Sequence, residues 1–89
     1  MSKTLPNNIN KLHTTLLGAD RIRKNLKLAS DIDVVLYCKN IVLDKNCRIY
    51  KQGKNYYCEI NRASYKEKIT INASNYTIIT AHYCSNDLG

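Results

Sequence analysis

The apolar residues of this chain change their spacing near Asp44, and that change limits the fold more than any other feature of the sequence. Ahead of it, Ile9, Leu12, Leu16 and Leu17 recur at helical intervals, and Ile22, Leu26 and Leu28 repeat the pattern beyond Gly18. Gly18 is expected to end a first helix or bend the chain, with Asp20 opening a second. Ser30 or Asp31 is placed to cap a third helix over "DIDVVLYCKNIVLDK", whose Val34, Cys38, Ile41, Val42 and Lys45 follow one stripe. The run "VVLYC" within it also fits a buried strand.

Beyond Asp44 the pattern alternates. "CRIYKQ" and "NYYCEI" flank a turn containing Gly53, and "EKITIN" and "YTIITAH" flank Ala73 to Asn75, so both pairs read as hairpins. Ile69 and Ile71 are expected to share one strand face, and Ile79 and Ala81 another, with "RASYKEK" as the polar connection between hairpins. Burying both apolar patterns together gives an α+β fold, with N-terminal helices packed on a four-stranded antiparallel meander. Residues 1–89 are expected to form a single domain, helical over about 5–45 and sheet over about 46–83. The tail after Tyr83 is expected to fray.

Fourteen Lys and Arg against seven Asp and Glu leave a formal net charge of +7, which favours RNA, another polyanion or an acidic protein as partner. All seven aromatic residues are Tyr, whose hydroxyls need water or a partner, so part of this aromatic set is expected at an accessible surface. No apolar stretch approaches the roughly 20 residues of a membrane span, and "MSKTLPNNINK" lacks the apolar run of a secretory signal, so a cytoplasmic protein without membrane contact is expected. Cys38, Cys47, Cys58 and Cys84 form no CxxC pair and no zinc-finger spacing. Reduced thiols and no cofactor are expected, the alternative being a metal site that folding assembles from His13, Cys58, His82 and Cys84.

Three stretches carry chemistry. In "HTTLLGADRIRKNL" a histidine precedes a basic segment; His13 would serve as general acid or base, and Arg21 would hold a phosphate through paired hydrogen bonds. Arg23 and Lys24 add charge for nucleic-acid binding, while Thr14 and Thr15 can orient a phosphate or cap a helix. In "ITINASNYTIITAHY", Thr80 and His82 share a strand face and could meet His13 in one cleft, dividing two proton transfers at a phosphodiester. In "RIYKQGKNYYCEI", Lys51 and Lys54 flank the turn, and of Tyr56 and Tyr57 one must face outward, which suits stacking on an unpaired base. Each stretch has a plainer reading, as a capping histidine, a solvated basic face, a strand-filling threonine or a solvated hairpin. "GKNYY" lies outside any GxxxxGK phosphate-loop frame, and no carboxylate cluster suits magnesium.

Together, "LHTTLLGADRIRKNL", "DVVLYCKNIVLDKNCRIYKQGKNYY" and "KITINASNYTIITAH" resemble a family of small uncharacterised proteins of Gram-positive bacteria and their mobile elements. More distantly, helices followed by a meander ending in "IITAH" resemble the barnase, EndoU, nuclease-colicin and RelE group of metal-independent ribonucleases, many of them toxins. The resemblance implies His13 as the helical acid or base, Arg21 as the phosphate-binding arginine, and Thr80 with His82 as the contribution of the closing strand. The expectation is therefore a small basic RNA-binding domain acting as a metal-independent endoribonuclease that leaves a 2′,3′-cyclic phosphate. The alternative is a non-enzymatic protein that binds an anionic protein or nucleic acid, such as a phage-borne inhibitor of a host nuclease.

Overall fold

The computed structural model describes residues 4–85. The elements are α1 (Thr4–Asn7), a 3-10 turn (Ile9–Lys11), α2 (Leu16–Leu26), α3 (Val34–Leu43), β1 (Arg48–Gln52), β2 (Asn55–Asn61), β3 (Tyr65–Asn72) and β4 (Ile78–Ser85). The strands form one antiparallel sheet in the order β1-β2-β3-β4, which is the expected α+β meander. No helix among the described residues is long and apolar enough to cross a membrane.

The N-terminal helices differ from the sequence expectation. Gly18 does not end a helix; it lies in the first turn of α2, which Thr15 caps by accepting a hydrogen bond from the Gly18 amide at 2.9 Å. A Cβ at Gly18 would collide with Thr14 Oγ1 and stand 3.1 Å from Thr15 Oγ1, so glycine is required by close approach. Leu16 and Leu17, read as core, are exposed. The chain just before them is extended rather than helical, because His13 bridges to Thr77 of the sheet. α2 buries Ile22 and Leu26 instead, and ends on Lys27 in a left-handed conformation, φ 57°.

The segment "VVLYC" is helical. Asp33, rather than Ser30 or Asp31, caps α3 by accepting from the Leu36 amide at 3.0 Å. The stripe Val34, Cys38, Ile41 and Val42 is buried as expected, while Lys45 lies past the helix end and is exposed.

Gly53, at the first loop position of the β1–β2 turn, has φ 63°, the backbone region that a tight hairpin demands there. The connection to β3 is shorter than expected, since Tyr65 to Lys68 of "RASYKEK" already pair with β2 or β4. In β4 a bulge falls where Thr70 pairs with Thr80 and Ile71 with Ile78. It leaves Ile79 as the extra residue, so Ile78 and Ala81 face the core and Ile79 is exposed. This corrects the expected Ile79/Ala81 face. The expected fraying falls largely on residues 86–89, which lie outside the described residues; Cys84 is paired with Lys66 in β4.

The core lies on one side of the sheet, where Ile22, Leu26, Val34, Cys38, Ile41 and Val42 of the helices meet Cys58, Ile60, Ile69, Ile71, Ile78 and Ala81. β4 is an edge strand, and its outer backbone is covered by polar groups. Thr14 Oγ1 donates to the Ile78 carbonyl at 2.9 Å, and Asn25 Nδ2 donates to the Ala81 carbonyl at 3.2 Å. These contacts seat α2 along β4 and blunt an edge that would otherwise pair with another chain.

Candidate nucleic-acid interface

Because strand side chains alternate, the register decides which residues share the face away from the helices. Two rows cross it. Tyr50, Tyr57, Thr70 and Thr80 are successive partners across β1 to β4, and Arg48, Glu59, Lys68 and His82 form the next row. With strands about 4.8 Å apart, each row spans about 14 Å.

The rings of Tyr50 and Tyr57 stack with centroids 5.5 Å apart. The Arg48 guanidinium lies 5.6 Å from the Tyr50 centroid, and Lys68 Nζ lies 5.1 Å from that of Tyr57. The result is a ladder of cation, ring, ring, cation. Glu59 is its organising acid. It accepts from the Tyr50 hydroxyl at 2.7 Å and pairs with Lys66 at 3.5 Å and Lys68 at 3.8 Å. Burial raises the Glu59 pKa, but the Tyr50 hydrogen bond and the two lysines outweigh it and hold the carboxyl below its ordinary value. The same hydrogen bond pushes the Tyr50 phenol upward. One carboxylate thus faces Arg48, Lys66 and Lys68, and the face is net positive.

Of the residues singled out in the sequence, Tyr57, Thr80 and His82 lie on this face, with Tyr57 the outward tyrosine of its pair. Tyr56 points the other way and stacks on Tyr76 at 6.4 Å. Lys51 and Lys54 are exposed near the β1–β2 turn. His13 is elsewhere. Its Nδ1 lies 2.9 Å from the Lys11 carbonyl and its Nε2 lies 2.9 Å from Thr77 Oγ1, at the open edge of β4. Thr77 immediately precedes β4 and is five residues from His82, so His13 is held at the start of that strand, bonded to Lys11 and Thr77, while His82 stands further along it opposite Lys68. Arg21 and Lys24 are exposed on α2, and Arg23 is engaged with Asp20 at 3.4 Å and the Ile32 carbonyl at 3.3 Å, which ties α2 to the approach to α3.

The metal alternative does not assemble either. No group of three or more His, Cys, Asp or Glu among the described residues is placed to hold a metal ion.

The sequence reading missed Arg48, Tyr50, Glu59, Lys66 and Lys68 as members of the face. It also missed a buried network on the opposite side, where Glu67 accepts from the Tyr37 hydroxyl at 2.9 Å and from Arg62 at 3.2 Å. Burial, then the Glu67 carboxylate, keep the Tyr37 phenol protonated well above its ordinary range. A signal was present: Glu67 is in phase with Ile69 and Ile71, so alternation alone places it inward.

Residues 7–82 match the model of a family described as protein of unknown function (DUF3781), and the chain belongs to that family. No curated protein and no solved structure matches the chain. The family match takes in both rows of the open sheet face.

Proposed function

We propose that this domain binds single-stranded RNA across the open face of its sheet. Bases stack at the Tyr50–Tyr57 pair, and phosphates lie against Arg48, Lys66 and Lys68, with Lys54 adding charge at the hairpin turn; Lys51, opposite Tyr56 in the register, falls on the other side of the sheet. The observation that carries the reading is the ladder Arg48–Tyr50–Tyr57–Lys68 on a face that no helix among the described residues covers. A base enters by displacing a cation from a ring. Cation–π contacts at exposed sites are worth about 0.5–1 kcal/mol, whereas stacking a base on an aromatic side chain is worth about 1–3 kcal/mol. The displaced cation then meets a phosphate, so the exchange favours binding. Unpaired strands fit better than a duplex, because a flat face with accessible rings reads bases that are already splayed. The resemblance to proteins of Gram-positive bacteria and their mobile elements, and beyond them to metal-independent ribonucleases, makes RNA the first polyanion to test and the cytoplasm the expected place of action.

Fluorescence anisotropy with a short labelled RNA strand at several salt concentrations tests the proposal. Tyr57→Ala is expected to weaken binding about tenfold. Lys68→Ala is expected to reduce the salt slope by about one, and Lys24→Ala, on the solvent side of α2, to change little. Equal affinity of wild type and Tyr57→Ala, or binding without salt dependence, contradicts it.

Cleavage is a second reading, favoured by Thr80 and His82 lying side by side on the same face with Lys68 opposite His82. It is read in the same samples as strand scission that persists in excess chelator and is lost in His82→Ala. With His13 engaged by Thr77 and Lys11, this reading rests on His82.

A further inference from the structure

The helix-facing side of the β1–β2 hairpin carries a separate chemistry. Cys47 immediately precedes β1, and Cys58 stands in β2 opposite Ile49, so the two cysteines flank the same stretch of hairpin. Cys47, two residues before Ile49, falls on the same helix-facing side as Cys58, so the two thiols are neighbours across the hairpin. Cys47 is half-buried and carries a free thiol, as does the fully buried Cys58. Cys47 Sγ donates to the Arg48 carbonyl at 3.9 Å.

The two sulfurs are unequal. The hydrogen bond from Cys58 lowers the Cys47 pKa against the opposing effect of burial, while the same contact, followed by burial, raises that of Cys58. Cys38 of α3, also buried, is pushed up to about 12, first by burial and then by Glu67. The accessible member of the contacting pair is thus the one most easily deprotonated.

We propose that Cys47 and Cys58 form a reversible disulfide, with Cys47 as the attacking thiol and a low-molecular-weight disulfide as co-reactant. In the first step Cys47 loses its proton to solvent, and its thiolate attacks one sulfur of the reagent. A Cys47–reagent disulfide forms, and one reagent thiolate leaves. Capping Cys47 ends its hydrogen bond with Cys58, the leading cause of the raised Cys58 pKa, and also removes its charge from beside Cys58. Cys58 then loses its proton, attacks the Cys47 sulfur and expels the second reagent thiolate. Two protein thiols and one reagent disulfide become one protein disulfide and two reagent thiols. The protein must bring two neighbouring sulfurs on one face of the hairpin to a bond of about 2.05 Å.

The bond would tether the start of β1, which carries Arg48 and Tyr50 on its other face, yet the reaction stands apart from RNA binding and is tested on covalent chemistry alone. Native protein is incubated with excess oxidised glutathione, then analysed by intact mass and by peptide mapping without reduction. The expected product has lost two hydrogen atoms, retains no glutathione, links the peptides containing Cys47 and Cys58, and reverts with dithiothreitol. Cys47→Ser is expected to form no intramolecular bond, and Cys58→Ser to stop with one glutathione on Cys47. A lasting glutathione adduct on wild type, a bond through Cys38 or Cys84, or four unmodified thiols overturns the proposal. Should Cys58→Ser fail to fold, the wild-type peptide map decides the matter by itself.

Discussion

Glu67 stands on the helix-facing side of β3, its side chain only 3% exposed, at a depth where an unpaired carboxylate would not be tolerated. It is retained because Tyr37 and Arg62 both donate to it, and Arg62, itself more than a third exposed, carries the positive charge outward to water. The network joins α3 to the middle of the sheet and to the β2–β3 connection. Hydrogen bonds to a charged acceptor contribute about 1.5–3 kcal/mol each. Glu67→Ala is therefore expected to lower unfolding free energy by about 2 kcal/mol or more in urea titration. Tyr37→Phe should cost less, since Arg62 still pairs with the acid. Equal stability of Glu67→Ala and wild type would show that the network adds nothing. In the sequence, Glu67 reads as part of a polar loop, because four of the seven residues of "RASYKEK" are charged. Its phase with Ile69 and Ile71 in "EKITIN" points it inward all the same, and β3 bears that out.

At the scale of elements, Gly18 illustrates how a residue can be read for the wrong property. Glycine in a helical pattern signals an end, yet here α2 runs through it, and the missing Cβ makes room for Thr14 Oγ1, which donates to the Ile78 carbonyl. Replacing an interior helical glycine by alanine ordinarily stabilises by about 0.5–1 kcal/mol. Gly18→Ala is expected to destabilise instead, because Thr14 must move and its hydrogen bond to β4 is lost. In the background of Thr14→Ala the same substitution should be neutral or stabilising, giving a coupling of about 1 kcal/mol in a double-mutant cycle. Additive effects would mean that the two sites do not share space. The change of apolar period near Asp44, the four strands and the α3 stripe were legible because periodicity reports burial directly. The extended segment through His13 was not, since it is fixed by backbone bonds to Tyr76 and Ile78, more than sixty residues away. The β4 bulge was also hidden, because Thr77, Ile78, Ile79 and Thr80 are all good strand residues and either register satisfies propensity. The same limit applies to the candidate site. Tyr57, Thr80 and His82 could be nominated from their own strands, but their neighbours Lys68 and Arg48 are set by pairing across the whole sheet.

For the whole molecule, the asymmetry of the sheet organises the account. One face buries the apolar residues of three strands against α2 and α3, and the other is left to two tyrosines, a threonine row, His82 and basic groups around one acid. A net charge of +7 spread evenly would bring polyanions to every side, whereas cations interleaved with rings on one open face give a strand a particular path. α2 offers a competing surface, with His13, Arg21 and Lys24 exposed on or beside it. The two surfaces are distinguished by titrating isotopically labelled protein with a short single-stranded RNA and following backbone and tyrosine ring resonances. Binding at the sheet predicts that the largest shifts fall on Arg48, Tyr50, Tyr57, Lys68 and His82, with α2 nearly unmoved. Shifts centred on His13, Arg21 and Lys24, or none that saturate, would contradict it.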